Sequence, residues 1–541
     1  MHFKNLQVKR SFVWSLYLCL FFGGVKAQNF DWANSIGGLG LDVGRALTTD
    51  EDGNVIVVGS FTGGTHIADT FLTGYGSMES FVAKYTSNGE LLWARVISGP
   101  KEDMARGVVT ESNGNIFVVG HFTDTVVFDI TETDTLAARS EGGQDVFVVK
   151  YSADGQLIWF RTGGGLEDDT ATDIDRYPWT GRLYISGGFQ KRAKFGVTAL
   201  LSTGLTDAFL MKMDPDGNVH WLRNGGGLEH DIAASVAVDN HENIYIVGDF
   251  YDQANFDGTL LQALGSSDMF LVKYDADGTQ QWARTNGGTT VDVATGVGTD
   301  LNDHVFVSGY FQGTTFFQGF SETAISYNDV FISRFDANGN CDWLNSAGSY
   351  GLDNCLGMAV AWDGTTYLTG MFEELMYADT LTTSGNGYDI FILCMSSSGT
   401  ARYVRSAGAG SADIGMATCL SPDQSLYVTG YYYYFADFDQ TTIGAADYGD
   451  CFLARMTNIL GIAEDAPEAT ASCLYFDANS SQIHVNCESN GQWQRYDLLG
   501  KMVDNGTFRQ GRIEVPDQPA GLYLISVEGK EKIGSIKVWV R

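Results

Sequence analysis

The sequence predicts an all-β fold: a seven-bladed β-propeller with four-stranded blades, closed by its N-terminal strand and followed by a small C-terminal β-sandwich. Three observations lead there. One phrase keeps returning, as VKYSADGQLIWFRTGGG from Val149, MKMDPDGNVHWLRNGGG from Met211, VKYDADGTQQWARTNGG from Val272 and SRFDANGNCDWLNSAGS from Ser333. Its aromatic marker recurs at Trp32, Trp93, Trp159, Trp221, Trp282, Trp343 and Tyr403. An independent glycine marker, in VVGSF and its relatives, keeps the same pace at Gly59, Gly120, Gly187, Gly248, Gly309, Gly370 and Gly430. Self-similarity at a fixed period is the mark of a repeat architecture.

The chain begins with a segment that reads as a secretory leader over residues 1–27. Lys4, Lys9 and Arg10 precede the apolar run SFVWSLYLCLFFGGV, and Val25-Lys26-Ala27 offers small residues where cleavage is expected. The run is short for a membrane span, and Cys19 lacks the surroundings of a lipidation signal. The expected product is exported, with no transmembrane span.

Residues 28–460 carry the repeat. In the fourth unit, AASVAVDN turns into NIYIVGDF, a longer connection reaches DMFLVKYD, and DADG turns into TQQWART. These runs are rich in Val, Ile, Phe and Tyr and bounded by Gly, Asn and Asp, as strands are. Four antiparallel strands in about 60 residues make a unit with two apolar faces, which stacking buries. The first tryptophan strand, NFDWANSI, has no earlier partner, and the last unit ends at DCFLARMT without a tryptophan strand. Residues 29–36 are therefore expected beside residues 451–456, closing a ring; an open solenoid would leave two bare edges.

The pattern DxFxxKYDxxGxxxWxxxxGG, then D-x-A, then GNxYVxGxF resembles the SBBP-type β-propeller repeat of exported bacterial proteins. This chain departs from it late: Cys394 replaces the basic residue, Tyr403 the tryptophan, and DGTTY and PDQSLY the Gly-Asn turn. The resemblance implies a fold and an exported setting, and no shared chemistry.

Residues 461–473, small and acidic, suit a linker. Residues 474–541 then give six or seven short strands, a sandwich in outline. RYDLLGK with Gly500, PAGLYLISV with Gly521 and Tyr523, and the terminal strand IKVWVR resemble the C-terminal sorting domain of the type IX secretion system of Bacteroidota. YFDAN stands where that family carries Pro-Asn-Pro. The resemblance implies passage across the outer membrane through the type IX machinery, with release or tethering to surface glycolipid.

Composition narrows the function. Hydrophobic residues make up 44%, and glycine (66 residues) far exceeds proline (7), as tight β-turns require. The formal charge is −33, and losing the four leader cations leaves about −37, which repels phosphate backbones and argues against nucleic acid. Cysteines 341, 355, 394, 419, 451, 473 and 487 follow the leader. Their odd count leaves a thiol unpaired, and Cys473 with Cys487 is the best disulfide candidate. No CxxC or HExxH occurs, so zinc has no support and no metal or cofactor is expected.

Candidate residues fall in four groups. Asp42, Asp103, Asp169, Asp231, Asp292, Asp353 and Asp413 precede the first strands and are expected at one mouth of the channel, either as a cation-holding ring or as anchors of glycine-rich loops. Arg95, Arg161, Arg223, Arg284 and Arg405 are expected to pair across strands with Glu79, Asp145, Asp207, Asp268 and Asp389. The turns from Asp214, Asp275 and Asp336 faintly resemble calcium loops but suit hairpins better. Tyr310, Tyr350, Tyr388 and Tyr432 lie in varied connections and would stack on sugar rings or anchor a protein, although alternation should bury half of residues 431–434. His121 and His230 lack a nearby nucleophile pattern and read as loop residues.

The functional expectation is a monomeric binding or adhesion module for glycan or protein at the cell surface. An extracellular polysaccharide hydrolase or lyase using mouth acids is the rival, and a structural spacer the third reading. No catalytic signature such as GxSxG is present.

Overall fold

A computed structural model describes residues 28–130, 135–457 and 459. It also gives the backbone of seven strands between Leu474 and Val540. The leader, the linker, Cys473 and Cys487 lie outside the described residues. Every helix or strand among the described residues is a strand. The chain divides into two compact units, Met1–Gly461 and Ile462–Arg541.

In the first unit each repeat folds as an antiparallel four-stranded sheet of inner, second, third and outer strands. The fourth repeat uses Asp231–Val238, Ile244–Phe250, Asp268–Tyr274 and Gln280–Gly288. The seventh is composite: Ile414–Leu420, Leu426–Tyr432 and Asp450–Thr457 are completed by Asn29–Gly38 from the other end of the chain. Its register sets Ala33 opposite Ala454 and Ile36 opposite Cys451. The pairing covers the edges that both chain ends would otherwise expose. The arrangement is propeller-like, with seven separate apolar clusters, each drawn mainly from two neighbouring sheets.

The returning phrase has a mechanical role. The indole Nε1 of Trp93 donates to Ala153 O of the next repeat's turn at 3.0 Å, and Trp159, Trp221, Trp282 and Trp343 reach Pro215, Ala276, Ala337 and Ser397 in the same way at 3.2 Å. The basic residue of the third strand reaches the same carbonyl: Lys212 Nζ to Ala276 O at 2.7 Å, Lys273 Nζ to Ala337 O at 3.2 Å. Each turn carbonyl is thus held by two donors from the preceding sheet. Trp32 and Arg455, from opposite ends of the chain, together hold Ser87 O of the first repeat at 3.2 Å.

The expected cross-strand ion pairs do not form. Arg95, Arg223 and Arg284 stack over their own tryptophans at 5.2–5.7 Å. Their Nε atoms donate to Gly155 O, Gly278 O and Gly339 O of the next turn. Arg161 stacks on Trp159 and reaches Asp216 O at 3.1 Å, and Arg405 pairs with Asp439. The register sets Arg284 opposite Leu271 and Arg223 opposite Leu210, three residues beyond Asp268 and Asp207 and so on the other face of the sheet. The acids' own loops claim them: Leu264 N donates to Asp268 and Thr203 N to Asp207.

The long connections after G-x-F are also more ordered than loops. They form β-hairpins that reach back to the previous sheet: Gln253–Phe256 pairs with Gly225 and Gly226, and residues 193–195 pair with Gly163 to Gly165. In the second compact unit, Leu474–Asp477, Gln482–Val485 and Arg512–Glu514 form one sheet. Gly491–Tyr496, Met502–Phe508, Gly521–Glu528 and Lys532–Val540 form another.

Candidate functional site

All seven inner strands line one cavity of about 480 Å³, open to solvent. What points into it is set by a backbone irregularity. Each inner strand carries a β-bulge three residues after its acid: between Gly44 and Ala46, Ala105 and Gly107, Ala171 and Asp173, Ala233 and Ser235, Ala294 and Gly296, Cys355 and Gly357, and Gly415 and Ala417. A bulge leaves one residue outside the ladder and re-aims its side chain. The bulged residues are Arg45, Arg106, Thr172, Ala234, Thr295, Leu356 and Met416, and every one lines the cavity. The frame repeats seven times, while its contents are two adjacent arginines among neutral residues.

The seven aspartates take a different place from an open ring at the mouth. Asp42, Asp103, Asp169, Asp231, Asp292, Asp353 and Asp413 are all fully buried. Their oxygens anchor the glycine-rich loops: Gly38, Gly227, Gly288 and Ala409 amides donate at 2.6–3.0 Å to the acid four residues on. Each lies beside the acid of the preceding sheet's third strand, as Asp169 lies beside Asp145 and Asp231 beside Asp207. Gly226 separates one such pair; a methyl group there would lie 2.8 Å from Asp207 Oδ1 and 2.9 Å from Asp231 Oδ2. This crowding explains Gly226, while its neighbours Gly225 and Gly227 leave room for the Phe256 ring and the Gln253 carbonyl of the next hairpin.

Burial above all, with the neighbouring acid adding to it, raises these carboxyls from 3.8 to about 8 at Asp42 and Asp103 and about 7 at Asp169 and Asp231. The same causes act at Asp292 (about 6) and Asp413 (about 7). Two carboxylates this close and this buried resist ionising together, most strongly in the pairs built on Asp42 and Asp103.

Above Arg45 and Arg106 lies the residue that follows the marker glycine. This ring reads Ser60, His121, Gly188, Asp249, Tyr310, Met371 and Tyr431. Arg45 Nε donates to Ser60 Oγ at 3.2 Å. His121 is 1% exposed, and its Nε2 stands 3.7 Å from Glu102 Oε1, too far for a hydrogen bond, so both ring nitrogens are buried without a partner. Burial, with some help from Arg106 and Arg45, keeps the imidazole below its usual pKa. Burial also raises Asp249 to about 6.

Of the tyrosines, Tyr310 is half-buried in this ring, near Asp249 and Tyr251. Tyr350 is 72% exposed on a loop, and Tyr388 is half-buried where its carbonyl accepts Asp413 N. Tyr432 is wholly buried and donates to Ser35 Oγ at 2.8 Å, so it is a core residue and offers no surface to a ligand. Strand alternation puts its neighbours Tyr431 and Tyr433 on the other side, edge to face at 5.9 Å. His230 bonds Thr206 at 3.0 Å.

The first aspartate of each candidate calcium turn bonds its own loop: Asp336 Oδ1 accepts Asn338 N and Asn340 N at 2.9 Å. Among the described residues, Asp239, His241 and Asp303 form one three-ligand cluster, with Asp239 already engaged by its own turn. Cys341, Cys355, Cys394, Cys419 and Cys451 are free thiols.

No single-residue pattern announced the arginine pair, because Arg45 and Arg106 become neighbours only when sheets stack. The available signal was a fixed offset from the repeated aspartate at which five residue types stand in seven repeats.

No family model matches the chain. An uncharacterized WD repeat-containing protein of Acanthamoeba polyphaga mimivirus is 23% identical over 425 residues, 64% of this chain and 30% of that protein. The regulatory protein FlaEY of Caulobacter vibrioides is 26% identical over 341 residues, 58% of this chain and 34% of its own length. The chain therefore spans about a third of these relatives. Among solved structures, the quinohemoprotein alcohol dehydrogenase of Comamonas testosteroni is 10% identical at a TM-score of 0.35, covering 78% of this chain and 76% of that one.

Proposed function

We propose that this chain is an exported, closed seven-bladed β-propeller that binds a glycan or protein at the cell surface and is delivered there by the type IX secretion system. Closure is supported by the seam. Trp32 and Arg455 hold the Ser87 turn together, and inner strand Val43–Thr49 packs beside both Asp103–Thr110 and Ile414–Leu420. The sorting-domain resemblance of residues 474–541 supports the route.

The observation that carries the binding reading is the contrast between a uniform frame and a channel ring whose residues vary among the repeats. Rigid scaffolds that vary only what they present are built for recognition. A glycan array probed with the full exported chain is expected to register bound glycans and release no product. Product release would favour the rival hydrolase or lyase, and inertness in both assays the spacer. Deleting residues 474–541 is expected to hold the protein inside the outer membrane; undiminished surface delivery would remove the type IX route.

A further inference from the structure

We propose that Arg45 and Arg106 form an oxyanion site in the axial channel, whose ligand is the carboxylate of a small acidic sugar-like molecule. The inference rests on the closed-channel reading above and deepens its binding function.

The pairing of charges inside the channel points to an anion: Asp173 and Asp175 line it along with the two arginines, but their oxygens are engaged elsewhere. Arg45 and Arg106 hold equivalent bulge positions on adjacent inner strands, three residues after Asp42 and Asp103. Neither has a carboxylate within salt-bridge distance among the described residues, and Arg45 donates only to Ser60. The chain as a whole carries −33, so two adjacent guanidiniums without a direct ion pair run against its composition.

The nearest acids are otherwise occupied. Asp173 Oδ2 takes Ser235 Oγ at 2.8 Å and Val236 N at 3.0 Å, and Asp175 Oδ2 takes Val238 N at 2.8 Å. These carboxylates tie neighbouring inner strands together. Asp249 stands in the fourth repeat, beside Tyr310. Glu102 lies at the rim, where His121 and the two arginines hold it below its usual range.

A second observation points the same way. Ser60 sits against Arg45, and the repeat places His121 at the same position relative to Arg106. His121 is buried with no hydrogen bond to either nitrogen, Nε2 facing Glu102 Oε1 at 3.7 Å, a costly state that a bound acceptor would relieve.

The chemistry fits a carboxylate. A guanidinium offers a planar fork of N–H donors that matches two carboxylate oxygens. A cavity of about 480 Å³ suits a small ligand. Thr172 and Thr295 also line the cavity, their hydroxyls donating to Ala233 O at 2.6 Å and Cys355 O at 2.9 Å, while Leu356 and Met416 offer an apolar face for a ring.

Isothermal titration of the full chain tests this, with glucuronate, glucose and inorganic phosphate as probes. Saturable glucuronate binding is expected, tighter than phosphate and absent for glucose. Arg106→Gln and Arg45→Gln should each weaken it at least tenfold, whereas Lys191→Gln, on the exterior, should leave it unchanged. Neither arginine makes an ion pair within the frame, so both variants should fold, with unchanged melting as the check.

Glucuronate binding no better than glucose, or unaltered in both arginine variants, overturns the site. Tighter phosphate binding overturns its carboxylate assignment. Array glycans bound equally by Arg106→Gln would leave the binding module standing and remove this site. Glucuronate binding with a blank array would do the reverse.

Discussion

The interface between the fifth and sixth repeats and that between the sixth and seventh use the same sequence positions to opposite ends. In the former, Trp343 Nε1 and Arg334 Nη1 converge on Ser397 O at 3.2 and 2.7 Å. In the latter, Cys394 and Tyr403 replace the basic residue and the tryptophan, and both are buried. The seventh sheet is assembled from Asp450–Thr457 and Asn29–Gly38, so no covalent turn joins its third and outer strands and no turn carbonyl awaits two donors. Asp439 forms a substitute link: it accepts Phe30 N at 2.8 Å and pairs with Arg405. The two departures from the repeat are thus one adaptation. The ammonium and the indole disappear together where their acceptor is missing, because either one buried without a partner is destabilising; the Tyr403 hydroxyl that remains is buried without a hydrogen bond.

The largest expected effect tests the seam itself. Deleting residues 29–38 removes buried Phe30, Ala33 and Ile36 and bares the edge of Asp450–Thr457. The loss should exceed about 5 kcal/mol and abolish a cooperative melt followed by circular dichroism. A deletion that melts normally would break the comparison.

Next, Trp221→Ala, at an intact interface, should cost about 3 kcal/mol in urea unfolding, and Lys212→Met about 1 kcal/mol. The reciprocal change, Cys394→Lys, places an ammonium in a buried site with no turn carbonyl and should cost about 3 kcal/mol. A neutral Cys394→Lys would mean that an acceptor exists at the seam after all.

The buried acid pairs give a pH signature. Their folded pKa values lie above the usual 3.8, at about 7 for Asp169, Asp231 and Asp413 and about 8 for Asp42 and Asp103. The folded chain therefore binds more protons than the unfolded chain between about pH 4 and 8. Stability from these groups is complete below the unfolded pKa and is lost as pH rises through the folded values. The melting temperature should fall between pH 5 and 8.5, and Asp231→Asn should flatten that slope. A melting temperature that rises over this range would contradict the assignment. Tyr403→Trp should also destabilise, by about 1 kcal/mol, because the new indole N–H gains no turn to bond.

Much of this was legible in one dimension. The two markers placed every sheet, and the lone first tryptophan strand located the partner of Asp450–Thr457. The glycine-rich loops after each tryptophan strand were visible, but their cause was not, since the carboxylates that crowd Gly226 come from two different sheets. The cross-strand ion pairs failed because the hairpin register offsets each arginine from its acid by three residues, an odd number that puts the two on opposite faces. Tyr432 sat in a run of four tyrosines whose alternation assigned it to the core only once the strand's phase was known.

The sequence by itself determined the repeat, its four strands and its incomplete ends, because strand alternation and turn chemistry act over a few residues at a time. Only the tertiary structure decided what the donors bond, which acids crowd each other and which seven side chains enter the channel. Those relations join residues about 60 positions apart, and a one-residue bulge in each inner strand fixes their direction.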